Sequence, residues 1–288
     1  MPFTLESLPR PTKTYHTTPY DRISNHHNFS GTGKTILITG GASGVGYAIS
    51  KAFASTGVSR IAIIGRSLKP LEKAKHDLEE EFPSLQVLMY QASVTDHDRM
   101  SQIVQELGTI DVLVLNAATA HRRAEATDIT VEEMKDAFET NVVAPFNIAK
   151  AYLALPKPAA GSKTIINISA AAAHLPGHHR VGYGSSKAAG VQVMQNFASQ
   201  YKDYESVRVF SFHPGSFYTE GVAANIPKGM MEWEDVDLPA YFALWLAGPE
   251  SGFLSGRFLW ANWDVEELIE LEERLAKDPG MLTMGLIQ

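Results

Sequence analysis

A tyrosine and a lysine, Tyr183 and Lys187, stand four residues apart in the segment "YGSSK". At that spacing a helix places both side chains on the same face. A phenol ordinarily has a pKa of about 10, and a nearby ammonium group lowers that pKa because it favours the phenolate. The pair is therefore suited to general acid–base catalysis of hydride transfer at a carbonyl carbon. Because this spacing is common in helices, the prediction depends on the sequence around it.

A glycine-rich loop, "GGASGVG", lies between the apolar run Thr35–Thr39 and a stretch whose apolar residues recur at helical spacing as far as Phe53. Glycine permits a tight turn and a close approach of the backbone to a pyrophosphate, and the N–H groups that open a helix attract phosphate. A strand, a glycine loop and an amphipathic helix in this order predict a dinucleotide-binding site. The loop residues expected to contact the cofactor are Gly40, Ser43, Gly44, Val45 and Gly46.

The second apolar run ends in "IIGRS", so Arg66 and Ser67 stand where the adenosine ribose is expected. An Asp or Glu at this place would accept a hydrogen bond from the 2′-hydroxyl of NAD, whereas an Arg favours the 2′-phosphate of NADP. A guanidinium group binds phosphate in a bidentate way. The sequence therefore predicts NADP(H) as the cofactor, with contacts from Arg66 and Ser67.

Apolar runs that alternate with helix-like segments must position these groups. Seven buried strands are predicted, at Thr35–Thr39, Arg60–Gly65, Leu85–Tyr90, Ile110–Ala118, Lys163–Ser169, Arg208–Gly215 and Gly256–Asn262. The alternation indicates parallel βαβ units with right-handed crossovers, hence an α/β fold with a doubly wound, seven-stranded parallel sheet, the Rossmann fold. A ligand site is then expected at the carboxyl ends of the strands. One helix is predicted to begin at the capping-box pair Thr130 and Glu133, and an acidic surface or interface helix is predicted over Asp264–Lys277.

The length of 288 residues, 44% of them hydrophobic, suits one large domain. Residues 34–288 are predicted to form it. They include the expected substrate loop, from about Tyr218 to Val236, and the C-terminal helix. Residues 1–33 carry four prolines among polar residues: Pro2, Pro9, Pro11 and Pro19. This segment is predicted to be an extended arm, which either packs over the domain or stays mobile.

Composition excludes several classes of function. The net charge of −7 and a pI of about 5.8 argue against nucleic acid as a partner, because a phosphate backbone attracts a basic face. The absence of cysteine excludes disulfides, thiolate catalysis and Cys-ligated zinc. No apolar run approaches the roughly 20 residues that span a bilayer, and the N-terminal stretch has no apolar segment of a signal peptide. The sequence therefore predicts a cytoplasmic protein without a membrane partner.

Six motifs follow one another in the order and at the spacing of the short-chain dehydrogenase/reductase family: "TGGASGVG", "LNAA", "TNVVAP", "NIS", "YGSSK" and "HPGSFYT". The chain resembles this family from about Lys34 to Asn262, and the segment "SGFLSGRFLWANWDVEEL" resembles a subgroup frequent among fungal members. The resemblance implies that Tyr183 is the catalytic acid and base. It also implies that Lys187 binds the nicotinamide ribose and lowers the pKa of Tyr183, and that Asn141 holds a proton-relay water.

The resemblance implies further cofactor contacts. On the nicotinamide side they come from the segment after the sixth strand: Pro214, Gly215, Phe217 and Thr219, the last of which meets the carboxamide. On the adenosine side they come from the segments after the third and fourth strands: Ser93, Val94, Asn116 and Ala117. Ser93 stands where the family commonly has an Asp, so a weaker adenine contact is expected.

A second departure lies after the fifth strand, where family members commonly read Asn-x-Ser-Ser and the second Ser hydrogen-bonds the substrate carbonyl. Aligned on "IINIS", that position is Ala170. Aligned on the distance to Tyr183, Ser169 serves instead. Neighbouring residues of a strand point to opposite faces, so only one of the two faces the nicotinamide. The strand alignment favours Ala170, which predicts a missing hydroxyl.

The sequence thus favours an NADP-dependent oxidoreductase that interconverts a carbonyl and an alcohol, with Tyr183, Lys187, Asn141 and Ser169 as the candidate catalytic residues. Ala170 favours the alternative, a non-redox cyclase, lyase or isomerase that uses Tyr183 as its acid. A non-catalytic NADP-binding protein is disfavoured by the intact Tyr–Lys pair. Fold alone does not separate these functions.

The substrate is expected to be small and hydrophobic, because the segment from about Tyr218 to Val236 carries Met230, Met231 and Trp233. Three histidines, His174, His178 and His179, are expected at the substrate mouth rather than on a metal. By resemblance, the helices that start near Val131 and Tyr183 join copies of the chain into a homodimer or homotetramer.

Overall fold

The computed structural model describes residues 8–159, 161–175, 180–201, 207–218, 229 and 232–285. Seven strands cross its centre: β1 (Thr35–Thr39), β2 (Arg60–Gly65), β3 (Gln86–Gln91), β4 (Val112–Leu115), β5 (Lys163–Ile168), β6 (Val207–His213) and β7 (Phe258–Trp260). They form one parallel sheet in the order β3-β2-β1-β4-β5-β6-β7. The predicted doubly wound, seven-stranded Rossmann sheet is confirmed.

Helices cover both faces of this sheet. In chain order the α-helices of the described residues are α1 (Asp21–Ser24), α2 (Gly44–Ala54), α3 (Leu68–Glu81), α4 (His97–Leu107), α5 (Val131–Phe138), α6 (Ala144–Ala154), α7 (Val181–Gln200), α8 (Asp237–Ala247), α9 (Val265–Glu270) and α10 (Glu272–Lys277). A π-helical turn, Glu139–Val143, joins α5 to α6. Short 3₁₀ turns lie at Ala126–Asp128, Ala171–Ala173 and Pro249–Leu254.

The alternation of side chains along β1 explains the two layers. Ile36 and Ile38 pack into an apolar cluster with α2, α3 and α8 on one face. Leu37, between them, packs into a second cluster with α4, α6 and α7 on the other face. Because the strand order reverses between β1 and β4, the crevice beyond the carboxyl ends of these two strands is the place where a ligand is expected.

Some predicted elements differ at their ends. β4 stops at Leu115 rather than Ala118, because the N–H groups of Asn116 and Ala117 donate to the Thr39 hydroxyl at 2.9 and 3.0 Å instead of to a strand. The prediction of one helix over Asp264–Lys277 is wrong. Two short helices meet at Leu271, whose N–H bonds the carbonyl three residues back, on Leu268, at 3.1 Å. The capping box of Thr130 and Glu133 is confirmed at the start of α5.

The described part of the N-terminal segment packs over the C-terminal end of the chain. Tyr15 pairs with Trp263 in an antiparallel bridge, and His16 bonds Asp264 at 2.8 Å. Arg22, on the short helix α1, forms ion pairs with Glu250 and Glu266. These contacts hold the arm against the segments that follow α8 and β7. Within the described residues, the helices all lack the combination of length and apolar character that a membrane crossing requires.

Candidate active site

A cavity of about 470 Å³ lies at the carboxyl ends of β1 to β4, at the point where the strand order reverses. Eight of the residues predicted to contact a cofactor line it: Gly40, Ser43, Arg66, Ser67, Ser93, Val94, Asn116 and Ala117. The structure therefore brings together segments that are far apart in sequence. The volume and position suit a dinucleotide.

The glycine loop has the backbone that its sequence requires. Gly40 and Gly44 have φ of +67° and +51°, a region that favours glycine. A Cβ on Gly46 would lie 2.2 Å from the carbonyl oxygen of Gly40, so no side chain fits there. Helix α2 begins at Gly44, and the Ser43 side chain makes no capping hydrogen bond. The open N–H groups at this helix start fit a pyrophosphate.

Thr39 organises the β1–β4 junction and was not singled out from the sequence. Its hydroxyl accepts from the N–H groups of Asn116 and Ala117, and its carbonyl accepts from the Asn116 side-chain amide at 3.0 Å. These bonds close the end of β1 onto the end of β4. They hold the wall of the cavity in which the adenosine contacts are predicted.

Arg66 lies exposed at the end of β2 and lines the cavity. Ser67 precedes α3, and its side chain makes no capping bond. The acidic residue among those that line the cavity is Asp136, which stands on α5 rather than on β2. The β2 end therefore offers a guanidinium and a hydroxyl, which fit a phosphate monoester better than a ribose hydroxyl pair.

Tyr183 and Lys187 face each other on α7, with the Lys187 ammonium nitrogen 5.9 Å from the centroid of the Tyr183 ring. The ammonium donates to the carbonyl oxygen of Ile168, at the end of β5, at 2.9 Å. Burial lowers the pKa of Lys187 to about 8. Burial raises the pKa of the Tyr183 phenol, and the guanidinium of Arg180 lowers it. Arg180 was not predicted from the sequence, and it immediately precedes α7, three residues before Tyr183.

Asn141 lies in the π-helical turn between α5 and α6, a feature often found at functional sites. Its side-chain oxygen accepts from the Thr119 N–H, and its amide donates to the Thr119 carbonyl, both at 3.0 Å. The same amide donates to the hydroxyl of Ser186 at 2.9 Å. Ser186 lies between Tyr183 and Lys187 in the sequence. Asn141 thus joins the segment after β4, which lines the cavity, to the helix that carries the Tyr–Lys pair.

Ser169 and Ala170 follow the end of β5. Ser169 donates its N–H to Phe212 at 2.7 Å, and its buried hydroxyl has no hydrogen-bond partner among the described residues. The two-residue period of a strand groups it with Asn167, whose amide bonds Ser211 on β6 at 3.1 Å. Ala170 is buried and immediately precedes the 3₁₀ turn Ala171–Ala173, which packs against α7.

The segment after β6 holds Pro214, Gly215 and Phe217, while the predicted contact Thr219 lies outside the described residues. Gly215 has φ of +114°, and a Cβ there would lie 2.3 Å from a carboxylate oxygen of Glu234. That carboxylate accepts from the Ser216 N–H at 2.6 Å, from the Tyr15 hydroxyl at 3.0 Å and from the Asn262 amide at 2.8 Å. Burial raises the pKa of Glu234. Glu234, which the sequence analysis also missed, ties the arm to the ends of β6 and β7.

The histidines of this region are packing residues where the structure describes them. His174 accepts a hydrogen bond from the Trp260 indole at 3.0 Å, and His178 and His179 lie outside the described residues. His213, at the end of β6, stacks edge-on against Trp260 with 4.6 Å between ring centroids. Both of its ring nitrogens are buried and have no partner in the part of the chain that the structure describes. Among those same residues, no three metal-ligating side chains come together.

Replacing His213 by Phe is expected to make the free energy of unfolding depend less on pH in the acidic range. Burial, and to a smaller extent His174, lower the pKa of His213 from 6.5 to about 3. Between these values the unfolded chain binds a proton that the folded protein does not, so the free energy of unfolding falls as the pH falls, by up to about 1.4 kcal/mol per pH unit. The phenyl ring keeps the contact with Trp260 and removes this titration.

Urea unfolding of both proteins at neutral and mildly acidic pH measures the effect. His76→Gln is the matched control, because His76 is exposed on α3 and the variant is expected to keep the wild-type dependence on pH. The same dependence in wild type and His213→Phe would contradict a buried, neutral His213.

Comparison with known proteins extends the description of the site. A family model for short chain dehydrogenases matches residues 34–228. A protein from Aspergillus novofumigatus, short chain dehydrogenase/reductase nsrO, is 59% identical over 285 residues, covering 98% of each chain. The structure of the Pseudomonas aeruginosa RhlG/NADP active-site complex is similar with a TM-score of 0.73 and 25% identity, over 82% of this chain and 97% of that one. A 7α-hydroxysteroid dehydrogenase complexed with NADH and 7-oxo glycochenodeoxycholic acid shares the fold with a TM-score of 0.74 and 23% identity, over 83% and 96%.

The matched segments coincide with the site. Residues 34–228 contain the glycine loop, Asn141, Tyr183 and Lys187. The fungal relative extends the similarity to nearly the whole chain, beyond the family model. The chain is therefore a member of the short-chain dehydrogenase/reductase family of oxidoreductases, in a subgroup that occurs in fungi.

Proposed function

We propose that the protein is an NADP(H)-dependent oxidoreductase that interconverts a carbonyl and an alcohol on a small, hydrophobic substrate. The observation that carries the proposal is the path of contacts from the cavity to the Tyr–Lys pair. Thr119 lines the cavity, Asn141 holds both backbone groups of Thr119, and Asn141 also bonds Ser186 on α7. This path supports a single site for the cofactor and for proton transfer.

In this proposal Tyr183 donates a proton to the carbonyl oxygen during reduction and accepts it during oxidation. NADPH, when bound, supplies the hydride. The Lys187 ammonium uses one of its three N–H groups on the Ile168 carbonyl, which leaves two donors for the ribose and for the phenol side. Asn141 fixes the segment after β4, and we assign it the relay water that the family resemblance implies. Pro214, Gly215, Phe217 and Thr219 remain the proposed nicotinamide contacts.

The preference for NADP rests on Arg66 and Ser67 at the end of β2, where they line the cavity. The RhlG complex, at 25% identity, holds NADP, whereas the 7α-hydroxysteroid dehydrogenase, at 23% identity, holds NADH, so the preference is argued from the residues of this chain. A guanidinium attracts the two negative charges of the 2′-phosphate and gains little from an uncharged 2′-hydroxyl. The adenosine wall is assigned to Ser93, Val94, Asn116 and Ala117, which line the same cavity.

Replacing Arg66 by Ala is expected to weaken NADPH binding by about 10- to 100-fold and to change NADH binding little, since only NADPH loses a charge-assisted hydrogen bond. Calorimetric titration of each cofactor into each protein measures both effects. Arg274→Ala, an exposed arginine on α10, is the control and should bind both cofactors like the wild type. Equal affinities of the wild type for NADPH and NADH would refute the assignment.

A non-redox cyclase, lyase or isomerase on the same fold is the second candidate, and Ala170 is the residue that favours it. The Tyr183–Lys187 pair and the membership in an oxidoreductase family favour the first. Consumption of NADPH with a panel of ketones and quinones supports the oxidoreductase. Conversion of a substrate without any change in NADPH supports the alternative.

A second cavity, of about 200 Å³, supports a hydrophobic substrate. The N-terminal arm and the end of β7 line it with apolar and aromatic groups, which include Leu8, Tyr15, Trp260 and Trp263. His174 and Leu175, which also line it, come from the segment that follows Ala170. Met230 and Met231 lie outside the described residues, so the expectation drawn from them rests on the sequence.

A homodimer or homotetramer in the cytoplasm completes the proposal. Four of the exposed large hydrophobic residues lie on the helical layer from α5 to α7: Val131, Val143, Phe146 and Val181. Apolar groups that cluster on one exposed layer are typical of a surface that another subunit covers. This layer includes the starts of both helices that the family resemblance implies as contacts.

A further inference from the structure

Arg180 lies against the proposed catalytic tyrosine. It immediately precedes α7, three residues before Tyr183, and its guanidinium carbon is 5.7 Å from the centroid of the Tyr183 ring. The ammonium nitrogen of Lys187 is at 5.9 Å from the same centroid. Two cations therefore lie within 6 Å of the centre of the Tyr183 ring, and the family resemblance does not assign one of them, Arg180.

Arg180 makes no hydrogen bond or ion pair with any described residue, although its side chain is partly buried. The other partly buried arginines of that part of the chain donate to protein oxygens: Arg10, Arg22, Arg60, Arg99, Arg208 and Arg257. No nitrogen of Arg180 is among the buried side-chain atoms without a partner in the described residues, so its N–H donors are not closed off from solvent. Unused guanidinium donors beside a reactive phenol are available to a ligand.

The charges around Arg180 have one sign. Burial lowers its pKa, Tyr183 raises it and the cation of Arg123 lowers it again. In the part of the chain that the structure describes, no carboxylate contributes to this balance. Arg123 lies in the segment between β4 and α5 and is close enough to Arg180 to act on its charge. Two guanidinium groups without an acidic neighbour create a positive potential, which attracts an anion.

We propose that Arg180 binds an anionic oxygen of the substrate, a carboxylate or a phenolate, beside Tyr183. This inference rests on the proposed function, because it takes Tyr183 as the proton donor to the carbonyl. The planar guanidinium offers parallel N–H donors, which match a carboxylate in a bidentate way and a phenolate through one oxygen. A substrate held by this contact depends less on a hydroxyl donor at residue 170. The preferred substrate would thus be an apolar carbonyl compound with one acidic group.

Calorimetric titration of the complex with NADP⁺ tests the inference directly, with benzoate, 4-nitrophenolate and benzamide as the probes. Benzoate and 4-nitrophenolate distinguish the two kinds of anion, and benzamide is the neutral match of benzoate. Arg180→Met is expected to weaken binding of the preferred anion by about 10- to 100-fold, the range of a charge-assisted contact. Benzamide binding should change by less than about three-fold, since a neutral amide gains little from the cation.

Two further variants make the test specific. Arg180→Lys keeps the positive charge and should retain most of the affinity for 4-nitrophenolate, with a larger loss for benzoate because the bidentate geometry is gone. Arg122→Met, an exposed arginine that pairs with Glu133 at 2.8 Å, is the control and should bind all three probes like the wild type.

Failure of the wild type to bind either anion at millimolar concentration overturns the inference. The same holds if Arg180→Met binds the anions as the wild type does or loses benzamide equally. These results are distinct from a failure of the proposed function, in which no ketone or quinone oxidises NADPH in the presence of the wild type. Anion binding at Arg180 would persist in that case.

Discussion

Replacing Tyr183 by Phe is expected to lower turnover by about 10²- to 10⁴-fold, the contribution typical of a positioned general acid. The substitution removes one hydroxyl and keeps the ring that contacts Arg180 and Lys187. The affinity for NADPH should stay close to that of the wild type, because the proposed cofactor contacts of the glycine loop, Arg66 and Lys187 are unchanged. A large loss of rate with an intact cofactor site is the expected signature of an acid.

Steady-state rates and calorimetric NADPH binding, measured on the same preparation, separate the two effects. Tyr241→Phe is the matched control, since Tyr241 is a partly buried tyrosine on α8 that packs against the core on the other face of the sheet. It should turn over like the wild type. Full activity of Tyr183→Phe would remove Tyr183 from the mechanism.

Installing a hydroxyl at residue 170 is expected to have the second largest effect. A positioned donor to a developing oxyanion contributes about 10²- to 10³-fold in rate. If Ala170 occupies the place of that donor, Ala170→Ser should raise the reduction of small, neutral ketones by up to this factor. Under this assignment Ser169→Ala should change the rate little, because only one of two neighbouring residues of a strand faces the nicotinamide. Its buried hydroxyl has no partner among the described residues, so its loss should also cost little stability.

The alternative alignment makes the opposite forecast. With Ser169 as the donor, Ser169→Ala would lower the rate by about 10²- to 10³-fold and Ala170→Ser would be neutral. Steady-state kinetics on the two single variants with one neutral ketone decide between them. A fall in rate confined to Ser169→Ala would show that the assignment of a missing hydroxyl to Ala170 is wrong.

The fold could be predicted from the sequence because its strands are short, apolar and separated by helical patterns. β1, β2 and the Gly40–Gly46 loop were placed correctly, since local composition determines a buried strand and a tight turn. The prediction failed where tertiary contacts override the local pattern. β4 ends early because the Thr39 hydroxyl accepts hydrogen bonds from the N–H groups of Asn116 and Ala117. The residues of "LNAA" alone do not indicate these two bonds.

The residues of the candidate site that stand in a sequence motif could be predicted. The residues that reach the site only through folding could not. Tyr183, Lys187 and Asn141 each stand in a motif. Glu234 comes from a segment without a motif, and its role depends on its contacts with Tyr15 and Asn262, far away in sequence. Arg180 stands outside every motif, and its contact with Tyr183 and its lack of an acidic partner among the described residues are properties of the folded chain.

Transfer of deuterium from NADPH labelled at the nicotinamide C4 tests the central claim most directly. NADPH that carries deuterium at both C4 positions is incubated with the protein and a panel of aromatic ketones, and the products are analysed by mass spectrometry. The proposed oxidoreductase predicts an alcohol that carries one deuterium at the former carbonyl carbon, with an equal amount of NADPH consumed. A product formed without deuterium and without loss of NADPH would contradict it and would favour the non-redox alternative.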